Sequence, residues 1–435
     1  MKFLKVAVMS AIALAYGSAY AFHSGGVAEC EGCHSMHNSY EGSHNVTGTA
    51  DGDPSGIYLL KAADQSGTCL NCHGVGTTLA SYHVSTEGVN AGDATLPAQM
   101  TPGGDFSWLK KTMTFSVRNN PATNVGERHG HNIIATDFGY GADPKLVVAP
   151  GGTYAASNLH CSSCHDPHGK YRRLADSSIV TTGLPIRNSG SYNNSLDPIS
   201  GIYAVGVYRL LAGTGYAPRS YPAVPFTSNS PAAVVSSSYN RAETTQAGQT
   251  FVAYGQGMSE WCANCHTAFI QSGYTSGMAG LRHPAGNGSD LTAPIVANYN
   301  AYVTSGIMTN VTVNAAYSSL VPFEVGSADY TVLKARAALT GAVDRSAGPT
   351  NNVACLSCHR AHASGFESML RFFYLNEFMT IGDDAGVASY DSNTTEGKIN
   401  YGYSAAQQQR AYYERPASMF GPYARSQCNK CHAKD

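Results

Sequence analysis

Six times in this chain two cysteines stand three residues apart with a histidine directly behind the second: Cys30/Cys33/His34, Cys69/Cys72/His73, Cys161/Cys164/His165, Cys262/Cys265/His266, Cys355/Cys358/His359 and Cys428/Cys431/His432. All 12 cysteines are used. Cysteines at this spacing can bond both vinyl groups of one porphyrin from a single short turn. The next residue then lies under the iron, where a histidine supplies the proximal nitrogen. A disulfide, a redox dithiol or half a zinc site would account for one isolated pair. Six pairs out of six followed by histidine, in a chain with only 16 histidines, point instead to six haem c groups.

Met1 to Ala21 carries Lys2 and Lys5, then the apolar run Val6 to Ala15, then Ala19-Tyr20-Ala21. This reads as a signal peptide cut after Ala21, its apolar run too short to span a bilayer. Residues 22–435 are then expected to form a single exported hexahaem domain. Export fits the cofactor, because haem is attached to such motifs outside the cytoplasmic membrane. No later stretch has the apolar length of a membrane helix, which leaves the periplasm or the cell exterior. The formal charge of -2 offers no basic surface for nucleic acid.

Charged residues make up 13%, about half the usual share, and stretches rich in Gly, Ser, Asn and Tyr such as Asn188 to Asp197 and Ser228 to Asn240 separate the motifs. The expected fold is therefore mostly irregular coil with few short helices and minimal strand. Covalent haem bonds and iron ligation would pin the loops, and porphyrin rings would replace much of an ordinary globular core. Three regular elements are predicted. A capping box at Ser404 and Gln407 starts a helix running to Glu414 before Pro416. A second helix covers Ala328 to Leu339, stopped by Gly341. Thr112 to Val117 alternates as a short strand.

The first, third and fifth motifs carry a second histidine three residues after the first: His34/His37, His165/His168 and His359/His362. On one turn both side chains leave the same face, so the second cannot reach across its own porphyrin and must ligate a different haem packed close by. The alternation suggests three pairs of haems arranged in a line, with His168 serving the first haem and His362 the third. By the same series His37 would serve the fifth haem of a preceding subunit. Ten histidines lie outside the motifs. His37, His168, His362, His131, His283 and His23 are the main candidates for distal iron ligands, with His83 and His160 behind them and His129 and His44 last. This supply needs no open iron. Saturated bis-histidine iron changes charge without binding substrate, which suits an electron carrier rather than an enzyme.

Phe22 to Gly26, Met100 to Phe106, Gly126 to Ile133, His160 to Arg173, Thr181 to Tyr192, Ala253 to His266, Leu281 to Gly288, Cys355 to Phe366 and Cys428 to Asp435 together resemble the OmcS-type hexahaem outer-surface cytochromes of metal-reducing bacteria. The resemblance spans essentially all of residues 22–435. It implies a loop-rich chain wrapped around a linear stack of six bis-histidine haems, polymerised head to tail into an extracellular conductive filament. It also implies His37 as a ligand to a haem of the adjoining subunit. His44 and His129 are additions to the family pattern. The leading reading is thus a filament that delivers electrons to insoluble metal oxides or partner cells, with other multihaem cytochromes as redox partners. The alternatives are a non-polymeric periplasmic or surface carrier and a multihaem reductase. The last would require one five-coordinate haem.

Overall fold

The computed structural model of the chain describes residues 30–35, 39–40, 43–44, 59–75, 82–89, 92, 95–117, 120–236, 243, 250–270, 284–304, 321–338, 350–374, 378–390 and 402–432. Among these the longest helix has 12 residues and the longest strands have five. Turns, bends and single 3-10 turns carry most of the path.

The helix from Ser404 begins as predicted. Ser404 Oγ accepts from Gln407 N at 3.2 Å and Gln407 Oε1 accepts from Ser404 N at 2.7 Å. It stops at Ala411 rather than Glu414, because Tyr413 and Glu414 both turn to positive φ, at 57° and 59°. The second predicted helix spans Tyr330–Ala337 instead of residues 328–339. Asp329 caps it by accepting from Thr331 N and Val332 N. Gly341, the predicted stop, lies outside the described residues. The predicted strand is Met113–Val117, paired antiparallel with Asn120–Asn124.

A four-stranded sheet joins Asn351–Asn352, Glu324–Val325, Val252–Tyr254 and Ala233–Val235 in that order. Its last strand lies inside the Ser228 to Asn240 stretch, where only loop was expected. Alternation along the strands divides the sheet. Val234 and Ala253 face the helix Tyr330–Ala337 through Leu333 and Ala337. Ala233, Val235, Val252 and Tyr254 face Met258 and Leu356, beside the fourth and fifth motifs. One carboxylate couples the two motifs. Buried Glu324 accepts from Gly257 N at 2.8 Å and from Ser259 Oγ at 3.0 Å, and Ser259 Oγ in turn accepts from Cys355 N at 3.2 Å.

The protein also has more apolar core than its composition promised. Trp108, Phe366, Tyr403, Tyr412 and Phe420 are each 1–2% exposed and pack into one cluster. Gly365 permits the closest approach there: a Cβ at this position would sit 2.4 Å from Ala411 Cβ and 3.1 Å from Trp108 Cη2. Cys161, Cys358 and Cys431 lie against this cluster, so the core ends where the porphyrin-bearing sulfurs begin.

Candidate haem sites

The motifs follow one another in space in the order of the sequence. Cys33 lies near Cys72, Cys69 touches Cys161, Cys164 lies near Cys265, Cys262 touches Cys355, and Cys358 lies near Cys428 and Cys431. These thiols mark where the thioether sulfurs of the attached haems would stand. Each contact joins consecutive motifs, which is the arrangement of a line rather than a cluster.

Local structure docks the motifs onto one another. Asp64 caps the helix Gln65–His73 by accepting from Gly67 N at 2.7 Å, and its other oxygen accepts from Thr136 N at 2.7 Å. Ser66 on that helix accepts from Cys161 N at 3.1 Å, tying the second motif to the third. The helix Ala293–Thr304 serves the sixth motif, with Asn298 Nδ2 donating to Cys431 O at 3.3 Å. Nothing in the sequence reading marked this helix.

The histidine rings share one orientation device. Nδ1 lies 2.9 Å from Tyr82 O in His73, 2.8 Å from Arg209 O in His165, 2.9 Å from Pro150 O in His266 and 2.8 Å from Ser368 O in His359. With Nδ1–H donated to a carbonyl, the tautomer is fixed and Nε2 presents its lone pair to a metal. His131 has the same arrangement with Ala361 O at 2.8 Å, as does His160 with Ile134 O at 3.2 Å. Burial lowers the pKa of His131 to about 4 and of His362 to about 3, with His266 adding to the first and His165 to the second. Both rings are therefore neutral at pH 7, the state in which imidazole ligates.

Two histidine pairs face each other. His165 and His362 have ring centroids 6.4 Å apart, and His131 and His266 are 6.1 Å apart. Two metal–imidazole bonds of about 2 Å each, plus the span from each nitrogen to its ring centre, require roughly 6 Å. Both separations fit one iron between the rings. His362 is further held by stacking on Phe106 at 4.8 Å and 24°. Gly103 leaves room for it, since a Cβ there would lie 2.9 Å from His362 Nδ1.

No family model matches the chain. It is 54% identical over 429 residues to the C-type cytochrome OmcS of Geobacter sulfurreducens, covering 98% of this chain and 97% of that one. The chain belongs to the OmcS family of c-type cytochromes. The fold agrees. The structure titled "Cryo-EM of the OmcS nanowires from Geobacter sulfurreducens" superposes with a TM-score of 0.84 at 56% identity, over 95% of this chain and 100% of that one. The "Outer Membrane Cytochrome S Filament" from the same organism gives 0.83 at 54% identity with the same coverage. As a member of the OmcS family the protein is a multihaem c-type cytochrome with six haem c groups, one for each motif.

The remaining candidates of this OmcS-family chain divide by surroundings. His168 is 80% exposed in its side chain, with Nδ1 3.8 Å from Asp166. His83 is buried edge-on against Tyr82, their centroids 4.6 Å apart. His129 is fully buried beside Trp108 at 6.4 Å, and burial lowers its pKa to about 4. His44 lies in the two-residue strand Ser43–His44. His23, His37 and His283 lie outside the described residues, as does the predicted signal peptide.

The sequence reading did not single out Glu243. Fully buried, it meets Arg360 at 2.9 Å and Arg371 at 3.1 Å, and its main-chain oxygen accepts from Arg415 at 2.8 Å. Two buried guanidinium groups share its carboxylate, and a third holds its main chain. It stands in a stretch of Ser, Asn, Gln and Thr where no pattern marks a core position.

Proposed function

We propose that this chain carries respiratory electrons through six bis-histidine c-type haems and polymerises head to tail into an extracellular filament. The observation that carries this reading is the pair of opposed rings, His165/His362 and His131/His266, at the separation one iron requires. When bound, the haem iron supplies a one-electron couple that needs no substrate site. The protein is an electron carrier, not an enzyme.

Its own residues do the positioning. Paired cysteines fix each porphyrin edge, and His34, His73, His165, His266, His359 and His432 supply the proximal nitrogens. On the distal sides we assign His362 to the third haem and His131 to the fourth. His168 goes to the first, following the alternation of the doubled motifs. His160, whose ring lies 3.4 Å from Ser66 on the helix of the second motif, goes to the second. His283 or His23 would serve the sixth, with His83 behind them, and His37 would reach the fifth haem of a neighbouring subunit.

The titles of both solved relatives name nanowires or filaments, and the similarity to them runs the length of the chain. The filament would act beyond the cell surface after removal of residues 1–21, with residues 22–435 as one domain. Insoluble metal oxides or partner cells would accept its electrons, and other multihaem cytochromes would be its redox partners. Among the described residues no helix is long and apolar enough to cross a membrane. Electron microscopy of material sheared from cells, with spectra of the same sample, tests the reading. Filaments with all-low-spin ferric haem are expected. Monomers, or a high-spin component in assembled filaments, would contradict it.

A further inference from the structure

Among the described residues nine non-glycine residues have positive φ. Five of them, Leu59, Arg209, Leu210, Ser368 and Met369, lie on three short segments that bridge the histidines of the first, third and fifth motifs. The bridges pair His34 with Leu60, His165 with Leu211 and His359 with Leu370. Loop lengths between histidine and leucine differ, yet the hydrogen bonds repeat. Ser35 N donates to Leu59 O at 2.7 Å, Asp166 N to Leu210 O at 2.8 Å and Arg360 N to Met369 O at 2.8 Å. The second cysteine of each motif accepts in return: Cys33 O from Lys61 N at 3.0 Å, Cys164 O from Ala212 N at 3.0 Å and Cys358 O from Arg371 N at 2.7 Å.

We propose that the left-handed pairs Arg209–Leu210 and Ser368–Met369 are positioning elements for the proximal ligands of the third and fifth haems. Each pair turns one carbonyl, Arg209 O or Ser368 O, onto Nδ1 of its histidine at 2.8 Å. The inference rests on the bis-histidine reading above and adds which residues aim the ring.

A left-handed L residue crowds its own Cβ, and such backbone persists only where the surroundings impose it. The surroundings do so here. Arg209 N donates to Ser191 Oγ at 2.9 Å, and its guanidinium donates to Tyr192 OH at 2.8 Å. Next to Ser368, Glu367 is held by Arg128 at 3.0 Å. The second and fourth motifs make the same Nδ1 bond differently. Neither Tyr82 nor Pro150 has positive φ, and the left-handed residue after Pro150 is Gly151, which adopts it without strain. Of these four motifs, strained non-glycine backbone is held against the proximal ring only in the third and fifth. An Nδ1–H bond to a carbonyl strengthens imidazole as a donor and favours ferric iron, one of the protein's controls on potential.

The test uses the full six-haem protein, with Ser368→Pro, whose φ is locked near -65°, and Ser368→Gly, which keeps the left-handed turn. Low-spin spectra of the unsubstituted protein establish the bis-histidine reading separately. In a spectroelectrochemical titration Ser368→Pro should keep six low-spin haems while one midpoint in six moves to more positive potential. Ser368→Gly should keep the original midpoint. If Ser368→Pro is not recovered folded, Ser368→Val, whose branched Cβ resists positive φ, takes its place with the same expected shift. Unshifted midpoints in the proline or valine variant, or an equal shift in Ser368→Gly, would overturn the proposal.

Discussion

His362 and His168 hold the same place in two doubled motifs, three residues after a proximal histidine, and live in opposite surroundings. The ring of His362 is stacked on Phe106 and cradled by Gly103. Its backbone is clamped on both sides: His362 N donates to Gly103 O at 2.8 Å and His131 N donates to His362 O at 2.9 Å. The ring of His168 is 80% exposed, with Nδ1 3.8 Å from Asp166. A repeated sequence motif therefore does not imply repeated preorganisation. The interior position is built by three segments that converge on it, around residues 101–106, 130–133 and 360–366, whereas the other is left to its cofactor.

The comparison can be broken by substituting both residues. His362→Ala should give one high-spin haem in six and cost at least about 2 kcal/mol, because it removes a packed ring as well as a ligand. His168→Ala should also give one high-spin haem, while the loss of protein packing stays within about 0.5 kcal/mol, as for other exposed side chains. Low-spin spectra and thermal unfolding of both variants provide the check. Equal destabilisation would mean that His168 is packed as firmly as His362 in the assembled protein.

Gly104→Ala sharpens the same contrast with a smaller effect. Its φ is 90°, and a Cβ there would stand 1.8 Å from Ala363 O, next to His362. A cost of about 1–3 kcal/mol is expected, together with a disturbed spectrum at the third haem only. Chemical unfolding against the parent protein measures it.

The weakest expected effect is the pH dependence. The unfolded chain protonates its histidines near 6.5, whereas burial holds His131 down to about 4 and His362 down to about 3. Between these values the unfolded state binds more protons, so stability falls as pH drops below about 6.5 and levels off below about 3. Melting temperatures across this window should decline with acid. A flat profile would show that these rings are not held neutral in the folded protein.

The haem chemistry was legible because it is written in contiguous residues: cysteine spacing, the adjoining histidine and the doubled motifs. The capping box at Ser404 and the alternation from Met113 to Val117 were legible for the same reason. The four-stranded sheet was not, since each strand has only two or three residues and the segments lie far apart in the chain, too short for any periodicity to register. In the helix Ala293–Thr304, Asn, Tyr and Val fill half of the 12 positions and favour helix weakly. The clamps at Arg209 and Ser368 were hidden because left-handed backbone is ordinarily signalled by Gly or Asn, and here Arg, Leu, Ser and Met adopt it. Glu243 shows the same limit: its burial is decided by three arginines that follow it by more than a hundred residues.

We propose that subunits are joined by metal ligation, His37 of one completing the fifth haem of the preceding one, and His37→Ala tests this most directly. Electron microscopy and a spin-state spectrum of the purified variant should show monomers with one high-spin haem in six and the other five low-spin. Filaments that persist with six low-spin haems would contradict the claim.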